Sequence, residues 1–139
     1  MSARMRVLCV DDQEDSCALV STILKDYEVV AAHSKAGGLR QAATEKFDLI
    51  LADYYMPDGT GLELSSLIRA FDLNTPILLV TCTHSITHEQ AVAVGAQGIV
   101  RKEHLAYLLP AAAARAFEVK LLQKPLRTNR SRSRNLHKN

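Results

Sequence analysis

Short apolar runs of strand length recur along the chain, each followed by a turn signal and then by a stretch of helical periodicity. That alternation is the sequence form of a parallel α/β sheet covered by helices. The pattern predicts strands over 5–10, 28–32, 47–52, 76–81 and 98–100. It predicts helices over 15–27, 35–46, 62–71 and 86–94, the last stopped by Gly95. On the first helix, Cys17, Leu19, Val20, Ile23 and Leu24 read as the buried side. The run Phe47-Asp-Leu-Ile-Leu-Ala52 is almost continuously apolar, as a central strand covered on both faces requires. Residues 56–61 read as a Pro/Gly loop. Pro110 lacks an N–H, so it is placed near the first position of a final helix reaching about Leu122, with 103–109 as a short turn before it. Tyr27, Tyr107 and Phe117 fall on the apolar sides of their helices.

Composition narrows this to one globular domain. The 139 residues are 47% hydrophobic and 23% charged, with six Gly and four Pro, which excludes a disordered or collagen-like chain. A chain of this length buries roughly two-thirds of its unfolded surface, so it needs no metal or disulfide staple to fold. Apolar runs such as 77–80 and 108–114 fall far short of the ~20 residues a bilayer demands, so no membrane span is expected. The amino-terminal residues show no secretory signal, and a cytoplasmic location is expected. Cys9, Cys17 and Cys82 are odd in number and lack Cys-x-x-Cys spacing, so all three read as buried free thiols.

The net charge of +2 conceals two opposed parts. Residues 1–123 carry 11 Lys/Arg against 15 Asp/Glu, whereas 124–139 carry six Lys/Arg and no acid. The domain is therefore read as 1–123, followed by a basic tail over 124–139 whose composition cannot offset the entropy of ordering. Any nucleic-acid contact is expected only through that tail, and without an aromatic residue it would be electrostatic and salt-dependent.

The chemistry collects at the carboxyl ends of the predicted strands, where open α/β sheets bind ligands. Asp11 and Asp12 end the first strand, Asp53 follows the third, Thr81 ends the fourth and Lys102 lies just beyond the fifth. In a parallel sheet these ends share one edge, so the residues converge into one pocket. Two carboxylates ~4 Å apart repel by about 4 kcal/mol at an effective dielectric of 20, so a cation is required. Oxygen donors with solvated positions suit Mg²⁺. A dication, the Lys102 ammonium and the Thr81 hydroxyl around Asp53 would stabilise a transferring phosphoryl group, with Asp53 as nucleophile.

Val-Leu-Cys-Val-Asp11-Asp12, then Asp53-Tyr-Tyr-Met-Pro-Asp-Gly-Thr-Gly61, Pro76-Ile-Leu-Leu-Val-Thr81, and Gly95-Ala96 followed by Lys102 resemble the receiver domain of two-component response regulators. The resemblance covers roughly residues 5 to 122. It implies a flavodoxin-like (βα)5 doubly wound parallel sheet of strand order 2-1-3-4-5. It implies that Asp53 accepts a phosphoryl group from a sensor histidine kinase or a phosphotransfer protein. Asp12, Asp53 and the main-chain carbonyl of Tyr55 would hold Mg²⁺, with Asp11 acting through water, and Thr81 and Lys102 would be the switch hydroxyl and the phosphate-pairing lysine. Signalling to a downstream protein would run through the face of the fourth helix, fifth strand and fifth helix. The chain would thus be a stand-alone signalling module rather than an enzyme with a separate substrate, its only reactions being its own phosphorylation and dephosphorylation.

Three positions depart from the family pattern. Ile99 stands where the aromatic switch residue is usual, Glu103 follows the lysine where Pro is usual, and Tyr54 and Tyr55 place two phenols beside the acceptor. Lys102-Glu103-His104-Leu105 with Pro110 resembles a recognisable minority of receivers. Ile99 and Glu103 motivate an alternative, a non-phosphorylated pseudo-receiver acting as an interaction module. An aspartate-nucleophile hydrolase is disfavoured because the acids are adjacent at Asp11-Asp12 rather than spaced Asp-x-Asp. The five histidines show no metal-ligand spacing and read as surface or capping residues, and Asp58 reads as a residue of the Pro-Asp-Gly turn.

Overall fold

The computed structural model describes residues 4–82, 84–118 and 121–122. The basic tail therefore lies outside the described residues. In chain order the strands are β1 (Arg6–Val10), β2 (Glu28–Ala32), β3 (Leu49–Asp53), the two-residue pair β4 (Tyr55–Met56) and β5 (Gly59–Thr60), β6 (Ile77–Thr81) and β7 (Gly98–Arg101). The helices are α1 (Glu14–Ile23), α2 (Lys35–Thr44), α3 (Gly61–Arg69), α4 (His88–Ala93) and a final helix, α5, over 105–118, preceded by a 3₁₀ turn at Lys102–His104. The five long strands form one sheet in the order β2-β1-β3-β6-β7, every pair parallel, which is the expected doubly wound flavodoxin-like order.

Successive strand residues point to opposite faces, and both faces are covered, so the alternation divides the core in two. Val7, Cys9, Leu49, Leu51, Leu78, Val80 and Val100 pack with α1 and α5, burying Cys17, Val20, Leu105, Leu109 and Phe117. Leu8, Val10, Ile50, Ala52, Ile77 and Leu79 pack on the other face with Leu64 and Ile68 of α3 and Ala91 of α4. Extending the same parity past the strand ends sets Asp11, Asp53 and Lys102 on the α1/α5 side. Thr81 shares the parity of Ile77 and Leu79, towards α3 and α4.

Five readings from the sequence are corrected. Pro110 does not open the final helix but sits in its second turn. The helix continues because Leu105, Leu109, Ala113, Ala116 and Phe117 bury one stripe, while Ala106, whose carbonyl loses its donor, is exposed to water together with Pro110. Tyr107 lies off that stripe and is 84% exposed, although Tyr27 and Phe117 do pack together, ring centroids 4.8 Å apart. Leu19 lies off the α1 stripe of Cys17, Val20 and Leu24 and is 47% exposed. Cys82 is an exposed thiol, one residue past the end of β6, whereas Cys9 and Cys17 are buried and free as expected. The loop over 56–61 contains most of a small hairpin, Tyr55 pairing with Thr60 and Met56 with Gly59. Among the described residues, no helix is long and apolar enough to cross a membrane.

Candidate functional site

Residues far apart in sequence meet at the carboxyl edge of β1, β3 and β7. Asp11, Asp12 and Asp53 each offer an oxygen, and these oxygens lie within 4.8 Å of one another. Asp11 and Asp53 are buried, and Asp12 is exposed. Lys102 reaches in from the end of β7, its Nζ 3.1 Å from Asp11 Oδ2 and 3.2 Å from Asp53 Oδ1. One ammonium against three carboxylates leaves the cluster negatively charged.

Local backbone holds the two buried acids. The Asp11 N–H donates to the Ala32 carbonyl at 3.0 Å, extending the β1–β2 pairing one residue beyond the strands. Asp11 Oδ1 accepts from the Gln13 N–H at 3.0 Å, just ahead of α1. The Asp11 carbonyl is approached by His33 Nδ1 at 3.0 Å and by Cys17 Sγ at 3.8 Å. Asp53 ends β3, and the next N–H, that of Tyr54, donates to the Val80 carbonyl at 3.0 Å. The chain then turns sharply enough that the Gly61 N–H donates to the Tyr54 carbonyl at 2.9 Å. A Cβ at Gly61 would lie 2.6 Å from the Asp53 carbonyl oxygen, so glycine is required there by close approach.

The charge imbalance is visible in Asp53 itself. Burial, and next to it the Asp11 carboxylate, push the Asp53 carboxyl up to about 6, with Lys102 acting in the opposite direction. Burial alone would lower Lys102; its two carboxylate partners outweigh that and hold it above the ordinary lysine value. Part of the burial comes from an apolar wall, since a cavity of about 60 Å³ beside the acids is lined by Cys9, Leu19, Val20 and Leu105. A nest of hard carboxylate oxygens, one of them solvated and together short of positive charge, fits an oxygen-ligated dication of the Mg²⁺ type.

The remaining residues singled out by sequence fall around this cluster. Thr81 is buried at the end of β6, one residue beyond Val80, the register partner of Asp53. Tyr55 opens the hairpin two residues after Asp53; its side chain is 61% exposed and meets the Tyr54 ring edge-on, centroids 4.4 Å apart. Ile99 is partly buried against the α3/α4 side. Two features escaped sequence reasoning. Glu103 Oε1 lies 3.9 Å from both His84 Nε2 and His104 Nε2, joining the loop after β6 to the turn after β7. Asp58 accepts hydrogen bonds from the backbone of α2, 22 and 23 residues earlier in the chain. Neither the Glu103–His84 contact nor the Asp58 contacts carry a local signal, because those partners are remote in sequence.

Residues 7–114 match the family of the response regulator receiver domain, and the chain belongs to that family. The Schizosaccharomyces pombe transcription factor prr1 is 39% identical over 83 residues, covering 58% of this chain and 15% of that protein. The sensor protein GacS of Pseudomonas syringae pv. syringae is 36% identical over 92 residues, covering 61% of this chain and 10% of its own length. The chain thus matches only a small part of either relative. Among solved structures, the Vibrio cholerae chemotaxis protein CheY4 is 34% identical with a TM-score of 0.73, covering 82% of this chain and 99% of that one. Receiver domains are signalling modules of two-component systems rather than enzymes acting on a separate substrate, and the present chain is one of them by family and fold.

Proposed function

We propose that this receiver, taken as residues 1–123 with a basic arm over 124–139, accepts a phosphoryl group on Asp53 from the phosphohistidine of a sensor kinase or phosphotransfer protein, in a Mg²⁺-dependent reaction. The observation that carries the proposal is the meeting of Asp11, Asp12 and Asp53 with Lys102 at the sheet edge. An Asp53 oxygen attacks phosphorus, the P–N bond breaks, and its electron pair leaves with the imidazole. Asp12, Asp53 and the Tyr55 carbonyl would hold Mg²⁺, with Asp11 behind them, and the ion would supply neutralisation of charge on the acceptor and on the phosphoryl oxygens.

Lys102 then has a ready second role. Its ammonium already spans Asp11 and Asp53, so it pairs with a phosphoryl oxygen after a small movement. Thr81 lies on the α3/α4 parity of the sheet, so a hydroxyl drawn towards the phosphoryl group would pull on the segment leading into α4. That is a route to the face of α4, β7 and α5 and so to a downstream protein, by a population shift rather than an aromatic rotation, since Ile99 offers no aromatic ring.

Beryllofluoride, a phosphoryl mimic, tests this reading. Fluorine NMR should show a protein-bound species with the wild type only when Mg²⁺ is present, and none with Asp53→Asn. A wild type that binds no beryllofluoride at any Mg²⁺ concentration would favour the pseudo-receiver alternative, to which Ile99 and Glu103 point.

A further inference from the structure

The small hairpin after Asp53 is held at both ends. Its inner end is closed by the Gly61 N–H on the Tyr54 carbonyl. Its outer end is fastened to a different element. The Asp58 carboxylate at the hairpin turn accepts from the Lys35 N–H through Oδ1 at 2.8 Å and from the Ala36 N–H through Oδ2 at 3.0 Å. These are the first two N–H groups of α2, which have no partner within the helix. Bonds from Ala36 and then Lys35 hold the Asp58 carboxyl below the ordinary aspartate value, as expected for a carboxylate accepting two amide donors.

A second strap crosses at the same place. The Lys35 side chain passes over Gly59 to reach Glu63 in the first turn of α3, Nζ to Oε2 3.2 Å. Gly59 has φ +151°, so its backbone conformation calls for glycine, and the Lys35 side chain lies directly over it, with Cδ 2.6 Å from where a Cβ would stand. Meanwhile α2 has a cap of its own, Ser34, whose Oγ accepts from the Gly37 N–H at 2.9 Å. Asp58 therefore does for α2 something that Ser34 does not: it joins the helix to the hairpin.

Between the two fixed ends lies Tyr55, whose carbonyl completes the metal site in the proposed function. We infer that Asp58 is a positioning residue for divalent-cation binding: by clamping the hairpin to the amino terminus of α2, it sets the Tyr55 backbone relative to Asp12 and Asp53. This inference rests on the receiver reading above. The helix itself is too well capped by Ser34 to need Asp58 for its existence, and no charge of Asp58 is required at the acids, since its carboxylate is spent on α2.

The test is Mg²⁺ titration of the full chain followed by the fluorescence of its tyrosines, two of which, Tyr54 and Tyr55, adjoin Asp53. Asp58→Ala should raise the Mg²⁺ dissociation constant about five- to twentyfold, and Asp58→Asn, which keeps one acceptor oxygen, should fall between it and the wild type. Ser34→Ala is the control, because it weakens the α2 amino terminus without touching the hairpin, and it should leave Mg²⁺ affinity within about twofold of the wild type. Thermal unfolding without metal, read in parallel, verifies that each variant is folded at the titration temperature. Equal Mg²⁺ affinity in Asp58→Ala and wild type overturns the clamp, and so does an equal loss in Ser34→Ala. A wild type with no Mg²⁺ affinity overturns instead the receiver reading on which the clamp is built.

Discussion

Asp53 carries the opposing demands of the site in one carboxyl group. It is 8% exposed, faces the Asp11 carboxylate and has Lys102 as its cationic partner, and the balance leaves its pKa at about 6. A carboxyl whose folded pKa lies above its unfolded value contributes stability when protonated, fully so below the unfolded value. That contribution is lost as pH rises through about 6. In the metal-free protein, Asp53→Asn should therefore be more stable than the wild type at pH 7.5, by roughly 1–3 kcal/mol, and the difference should shrink towards pH 4. Urea unfolding in a chelator at the two pH values checks this; a wild type as stable as the variant at pH 7.5 contradicts the charge balance. The acids and Lys102 were legible in the sequence because each directly ends or follows an apolar strand. The α2 partners of Asp58 and the His84 partner of Glu103 were not, because which loops adjoin depends on strand order rather than on any local spacing.

At the level of elements, short apolar runs bounded by turn signals located every long strand to within two residues at each end. The helices were less legible where the covered face is narrow. On α1 and α5 a single stripe is buried, so apolar residues one or two positions off it, Leu19 and Tyr107, face solvent. The final helix shows packing overriding a local rule: Pro110 removes one hydrogen bond, yet the stripe from Leu105 to Phe117 keeps the helix continuous. Since Pro110 is exposed and makes no demand on the core, Pro110→Ala should restore the bond to the Ala106 carbonyl. We expect a gain of about 1–3 kcal/mol, reduced somewhat by the looser unfolded chain. An unchanged or lower melting temperature would contradict an uninterrupted helix through this position.

For the molecule as a whole, the sheet order β2-β1-β3-β6-β7 builds the site, because it seats β1 and β3 side by side and so turns two distant sequence motifs into one acidic nest. Family membership and fold agree with that order. The most direct measurement of the central claim is the intact mass of the protein after incubation with acetyl phosphate, with and without Mg²⁺. The account predicts a gain of one phosphoryl group that needs Mg²⁺, disappears in alkaline hydroxylamine as an acyl phosphate should, and is absent in Asp53→Asn. A wild type whose mass does not change with Mg²⁺ present, or an Asp53→Asn variant that gains the group as readily as the wild type, would contradict it.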